Sequence, residues 1–366
     1  MTRAVSGDRP IGVGLVGVQP GRSWGAVAHL PALAQLADRF RLVGIANSSS
    51  ESAQRAVAAI GDGVAFSSVS DLIASPDVEL VVVTVKVPHH FALVEAALAA
   101  GKHVYCEWPL ATTLAEAEQL ARLASASGSI VAVGTQAVFA PAIEEFAALV
   151  RSGAIGTPLS STLTGYGMTW GELIEQRNTY LLDVRNGATM LTIAVGHALS
   201  AVEHALGRVV ELSARLATRR PLVTVRETSE HVSLTAPDQV MIDCLTAEGL
   251  PLALHYRGGL PRGDGLFWQV DGTEGSVRIS GPSGLIEMAP LTLSASIGDE
   301  KGWSVVCAPV DHPAVDGVRR FYEALAAKIA GEDVAMPDFA SALRLHRVIA
   351  AIEEADRRGC RVAIAA

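Results

Sequence analysis

The apolar positions in the first third of the chain fall in short unbroken runs, separated by stretches with helical period. Residues 11–18, 41–46, 80–87, 104–106 and 130–133 are too short for buried helices, so they predict strands. Between them, residues 26–36, 51–60, 91–100 and 114–126 repeat apolar side chains at helical spacing and predict helices. Strands that are apolar throughout belong to a parallel sheet covered on both faces. The pattern therefore predicts a doubly wound α/β domain over residues 1–137. A helix at 141–150 follows, and then the pattern changes. Residues 160–166, 209–218, 239–246, 251–257, 267–271 and 276–279 read as strands separated by Gly, Pro and Asp turn signals. They predict an α+β domain over residues 138–366 with a large, open, mainly antiparallel sheet. Helical stretches at 190–206, 315–330 and 341–357 belong to this second half, the last two being able to pack back on the first domain.

A chain of 366 residues suits two domains, each with a core of its own. Its 38 acidic against 29 basic side chains give a net charge of -9, and no basic run is present. Diffuse attraction to nucleic acid or to an anionic membrane surface is thereby excluded. The longest apolar stretches, such as 80–85, fall far short of the ~20 residues that span a bilayer. Residues 1–10 lack the apolar core of a secretory leader. Cys106, Cys244, Cys307 and Cys360 lie far apart, which speaks against a zinc site and a disulfide framework. A cytoplasmic protein with no nucleic-acid partner, no membrane partner and no metal is expected. Only four lysines are present, Lys86, Lys102, Lys301 and Lys328, so any chemistry that needs one has few candidates.

A doubly wound sheet binds ligands beyond the carboxyl ends of its strands. The letters Gly12-Val-Gly14-Leu-Val-Gly17 match G-x-G-x-x-G but would leave only Ile11 as the preceding strand. The strand is therefore read as 11–18, and the enlarged loop 17–25, with Gly17, Gln19 and Trp24, becomes the candidate cradle for a pyrophosphate. An ordinary Gly-rich turn is the alternative. At the next strand end stand Asn47, Ser48 and Ser49. An acidic residue there would hold the ribose of NAD and repel the 2'-phosphate of NADP. Asn47 removes that repulsion and no arginine stands next to it, so NAD and NADP both remain open, and helix capping is the plainer role for a serine. The third strand end carries Thr84, Val85, Lys86, His89 and His90. Lys86 is either functional or a solvated strand terminus, and His90 reads as a surface group at a helix start. Gln136, beyond the strand at 130–133, is a further cofactor candidate.

The run Gly101-Lys-His-Val-Tyr-Cys-Glu-Trp-Pro-Leu110 resembles the A-G-K-H-V-x-x-E-K-P signature of the Gfo/Idh/MocA oxidoreductase family. Ala28-His-Leu-Pro-Ala-Leu33, residues 151–156, Gly196-His197 and residues 271–276 match as well. The resemblance implies a Rossmann domain followed by an α/β domain with an open sheet, NAD or NADP as cofactor, and hydride transfer to or from a sugar, polyol or glycoside. It also implies cofactor contacts at Glu107 and Pro109.

Departures from the family pattern carry the functional detail. The family's E-K-P lysine, beside the nicotinamide and the substrate hydroxyl, is Trp108 here, and an indole can stack but cannot pass that proton. The family's helix aspartate is Ile193, or Thr192 after a one-residue shift, whereas the histidine persists as His197. Asp183 and Asn186 are the next candidates. Lys86, in place of an asparagine of the family's turn, is expected to form the proton-handling pair with His197, and Asp183 is the third catalytic candidate. A buried, satisfied helical histidine is the alternative for His197. Two histidines spaced like His197 and His204 do not make a metal site. Tyr166, Trp170 and Arg177 lie in the segment that lines the pocket in relatives and, with Asn186, are candidates for substrate contact. Together the departures resemble the subgroup that includes the fungal galactose-regulon transcriptional inhibitor. A cofactor-binding regulator without turnover is therefore the second reading, and redox-neutral NAD-dependent glycoside cleavage or epimerisation the third. An open sheet face predicts a homodimer or homotetramer through the second domain.

Overall fold

The short apolar runs become a six-stranded parallel sheet of β1 (Ile11–Val16), β2 (Phe40–Ala46), β3 (Val64–Ala65), β4 (Leu80–Val83), β5 (His103–Glu107) and β6 (Val131–Gly134). Its order is β3-β2-β1-β4-β5-β6, that of a Rossmann fold. This is a computed structural model, and it describes residues 9–298 and 302–365, so Lys301 lies outside the described residues. The chain divides into two units, one of residues 1–136 with 314–343, the other of 137–313 with 344–366.

Side-chain hydroxyls start three helices of the first unit. Ser49, Ser68 and Thr113 accept from the backbone amides of Ser52, Asp71 and Glu116 at the heads of Ser50–Ile60, Val69–Ala74 and Leu114–Ser127. β3 and the helix Val69–Ala74 escape the sequence pattern because each is too short to show a period. The strand expected over 80–87 stops at Val83, and a 3-10 turn follows at Val87–His89. Pro88 brings no N–H to a ladder, so the strand cannot run through it. Lys86 consequently stands exposed in a turn. The helix expected over 26–36 is a π turn, Gly25–His29, running into an α-helix at Leu30–Ala34.

The first two glycines of the G-x-G-x-x-G letters have a packing role inside β1. A Cβ on Gly12 would fall 1.9 Å from the Asp77 carbonyl oxygen, and one on Gly14 would fall 2.5 Å from Leu72 Cδ2. Both let the connection that leads into β4 lie directly on the strand.

The second unit is built on β7 (Pro158–Gly167), β8 (Leu173–Ile174), β9 (Val209–Ala217), β10 (Leu222–Val225), β11 (His231–Ser233), β12 (Gln239–Thr246), β13 (Pro251–Gly258), β14 (Leu266–Gly272), β15 (Gly275–Gly281), β16 (Thr292–Ile297), β17 (Ser304–Cys307) and β18 (Val362–Ala363). Nine of them form one sheet, β17-β16-β15-β14-β7-β13-β12-β9-β18, antiparallel except where β13 pairs with β7. The expected open, mainly antiparallel sheet is thus present. A small sheet, β11-β10-β8, lies outside it. Alternate residues of the central strands, Val240, Ile242, Leu252, Leu254 and Tyr256, are buried, while Met241, between two of them, is 40% exposed. The helix Pro141–Arg151 packs on β15 and β16, with the Phe146 ring 4.4 Å from that of Trp268. Among the described residues no helix is long and apolar enough to cross a membrane.

The contact at Gly12 is directly testable. Gly12→Ala is expected to lower the stability of the first unit by about 1–3 kcal/mol, because a methyl group has no room against the Asp77 carbonyl; urea denaturation followed by circular dichroism measures it.

Candidate functional site

The strand order reverses between β1 and β4, the place where such sheets bind nucleotides. There the turns after the two strands touch. Gly17 has φ 103°, and a Cβ on it would lie 2.7 Å from Val85 Cγ1. Glycine alone permits that approach. The Thr84 hydroxyl donates to the Val16 carbonyl at 3.0 Å and fastens the two strand ends together. Asn47 reaches the same loop from the end of β2. Its Nδ2 donates to the Val18 carbonyl and its Oδ1 accepts from the Val18 amide, both at 2.8 Å. The Asn47 amide is thus engaged in shaping the loop, and Ser48 beside it is exposed. Ser23 closes the loop from within by accepting from the amides of Gln19 (2.8 Å) and Ala26 (3.3 Å). Gln19 and Arg22 stay exposed, and Trp24 carries a buried Nε1 without a hydrogen-bond partner.

At the carboxyl end of β5, Glu107 meets the fully buried His29, whose Nε2 lies 2.8 Å from Glu107 Oε1. The other ring nitrogen, Nδ1, lies 2.8 Å from the Tyr322 hydroxyl. Sequence reasoning quoted His29 only within a matching run and gave Tyr322 no role, since a contact between residues so far apart leaves no periodic trace. Burial, followed by the charge of Glu107, pushes both the Tyr105 and Tyr322 hydroxyls well above their ordinary range.

His90, expected at the surface, is 1% exposed. Its Nε2 lies 2.9 Å from the Val85 carbonyl and its Nδ1 2.9 Å from the Pro109 carbonyl. The ring bridges the turns after β4 and β5 and is buried because both turns fold over it. Burial is the larger influence and lowers its pKa, against the raising effect of the two carbonyls. Trp108 lies in the core at 5% exposure, next to Pro109. His89 is exposed. Beyond β6, Gln136 is fully buried and neither of its amide atoms has a partner. The close approach at Gly17, together with buried unpartnered polar atoms on Trp24 and Gln136, fits a dinucleotide laid along these strand ends.

In the second unit, His197 is 4% exposed, on the helix Gly196–Leu206. Its Nδ1 is buried without a partner, and burial lowers its pKa to about 3. The helix is preceded by a π turn at Leu191–Val195, with the Val195 amide donating to the Met190 carbonyl. Thr192 lies within this π turn, and its hydroxyl accepts from the Thr189 amide at 2.7 Å.

Asp183 is half-buried and occupied. Arg185 approaches it through Nε at 3.0 Å and through the terminal nitrogen at 2.6 Å, and holds the carboxyl below its ordinary pKa. Asn186 donates to the Tyr180 carbonyl at 2.7 Å. Trp170 is buried, with its Nε1 donating to the Leu181 carbonyl at 3.1 Å. Arg177 is exposed and paired with Glu175. Tyr166 has the Arg257 guanidinium 5.4 Å from its ring centre.

Residues 11–135 match the oxidoreductase family with an NAD-binding Rossmann fold, and residues 141–281 match the Gal80p C-terminal domain. The dehydrogenase aclE of Aspergillus oryzae is 31% identical over 80% of this chain and 83% of its own. The galactose/lactose metabolism regulatory protein GAL80 of Kluyveromyces lactis is 26% identical over 79% of this chain and 68% of its own. A levoglucosan dehydrogenase solved with NADH and levoglucosan shares the fold, with a TM-score of 0.83 and 20% identity over 98% of this chain and 100% of that one. The aligned length and the paired domains place this chain in the Gfo/Idh/MocA oxidoreductase family, with an NAD(P)-binding first unit and a second domain of the Gal80p type.

Proposed function

We propose that the chain is an NAD(P)-dependent oxidoreductase that transfers a hydride to or from a sugar, polyol or glycoside. The observation that carries this reading is the position of Lys86, exposed in the turn after β4 on the edge where the strand order reverses. Of the other described lysines, Lys102 donates to the carbonyls of Ser75 (2.8 Å) and Val78 (2.7 Å), and Lys328 stands near a helix end beside Asp333. We assign to Lys86 the part of the lysine lost at Trp108. In the second unit, a neutral, weakly basic His197 suits a hydrogen bond to a hydroxyl rather than the uptake of a proton. Asp183, engaged by Arg185, is the weaker catalytic candidate. Bound NAD(P) would supply the hydride acceptor or donor. Gly17, Gln19, Trp24, Asn47, Ser48, Thr84, Val85, His89, Glu107, Trp108, Pro109 and Gln136 would surround it. A substrate rich in hydroxyls is supported by the levoglucosan seen in the fold neighbour.

A regulator that binds NAD(P) without turnover is favoured by a different observation, the burial of Trp108 where dehydrogenases of the family carry a lysine. In either case the exposed face of the nine-stranded sheet would be covered by a second copy. It bears a depression of about 680 Å³ lined by residues including Thr164, Met241 and His255.

Lys86→Ala is expected to lower turnover at least about a hundredfold while NADH affinity stays within about twofold. Cofactor reduction at 340 nm with a panel of sugars, polyols and glycosides, alongside fluorescence titration of NADH, checks both. Unchanged turnover in Lys86→Ala removes Lys86 from the chemistry, and thermal stabilisation by cofactor with no turnover across the panel favours the regulator. His197 adds a pH signature. Above about pH 6.5 it is neutral both folded and unfolded, so its contribution is complete. Below that, the unfolded chain takes up a proton that the fold refuses, and stability falls by up to about 1.4 kcal/mol per pH unit toward pH 3. Urea midpoints measured from pH 7 to pH 4 are expected to fall less steeply for His197→Gln than for the unmutated protein; parallel curves contradict the burial of a neutral ring.

A further inference from the structure

His29 closes the π turn that follows the loop 17–25, and it is fully buried between two partners from distant parts of the chain. Its Nε2 lies 2.8 Å from Glu107 Oε1 and its Nδ1 2.8 Å from the Tyr322 hydroxyl. An ionised carboxylate only accepts, so in the neutral ring the hydrogen sits on Nε2. Nδ1 is then the acceptor and receives the Tyr322 O–H. In that tautomer the bonds run in one direction, from Tyr322 through His29 to Glu107.

Packing holds each member in place. The His29 and Tyr105 ring centres are 5.1 Å apart, Tyr105 stacks on Phe321 at 4.7 Å, and Phe40 meets the edge of Tyr322 at 5.1 Å. Gly134 on the neighbouring strand makes room for the carboxylate, since a Cβ there would fall 2.6 Å from both of its oxygens. The Glu107 side chain still keeps 12% of its surface exposed at the carboxyl end of β5. A carboxylate among aromatic rings needs donors that face it. The His29 N–H is such a donor, and a ribose diol brings two more.

We infer that Tyr322 and His29 are positioning residues that keep the Glu107 carboxylate directed at the ribose hydroxyls on the nicotinamide side of bound NAD(P). The chain of bonds ties that carboxylate to the helix behind the phosphate loop. The inference rests on the reading that the first unit binds NAD(P).

Tyr322→Phe removes one oxygen and keeps the ring packing, so the full-length variant tests the inference by ligand titration. NADH is expected to bind about three- to tenfold more weakly. ADP, which lacks the nicotinamide riboside, is expected to bind within about twofold of the unmutated protein. Glu107→Gln is expected to lose at least as much NADH affinity, and adding Tyr322→Phe to it costs less than about twofold more, because both act through one contact. Where Tyr322→Phe does not fold, as read from its thermal midpoint without ligand, His29→Gln carries the same comparison. Unchanged NADH affinity, or equal losses toward NADH and ADP, overturns the inference while leaving the cofactor reading intact. An unmutated protein that binds neither NADH nor NADPH overturns both.

Discussion

A carboxylate placed inside an aromatic core constrains the whole first unit. Glu107 ends β5, where the nucleotide edge of the sheet lies, and its largely buried carboxyl needs a partner from within the fold. His29 meets that need from the first helix and is itself satisfied by Tyr322, so three segments far apart in sequence are fixed against each other by two hydrogen bonds. One neighbouring choice follows: position 134 is glycine to admit the carboxylate. The rings of Tyr105, Phe321 and Phe40 fill the remaining space.

Much of this architecture was legible in the sequence. Continuous apolar strands alternating with amphipathic helices state a doubly wound sheet, because nothing else buries both faces of such strands. The change to Gly- and Pro-punctuated runs after residue 153 states the antiparallel sheet equally well. Glu107 and Trp108 stood out through a motif, and Lys86 through its rarity. His29 and Tyr322 as a pair did not, because the reason for each is the other, 293 residues away. His90 was misjudged for a related reason. A histidine at a helix start resembles a surface cap, and only the folding of two later turns over it makes it a core residue.

The second unit shows what letter counting misses. The choice between Thr192 and Ile193 was open because an α-helix and a π turn differ by one residue per turn, and a motif does not state which is present. A π turn does open the helix, with Thr192 inside it and its hydroxyl held by Thr189. Against the family pattern, the lysine of the E-K-P run is an indole, Trp108, and no carboxylate stands at position 192 or 193. The proposed chemistry therefore turns on Lys86, exposed in the turn after β4.

The first unit is also discontinuous, since its core includes Phe321 and Tyr322 from the helix Pro313–Ile329. Chains emerge from the ribosome amino end first, so residues 11–136 are made long before the segment that completes their core. Until residue 322 appears, His29 has only half of its partners and the Tyr105 ring has no Phe321 to stack on. The nucleotide-binding unit, although first in sequence, is thus completed late in synthesis, and an incomplete chain exposes that aromatic core while the second unit is still being made.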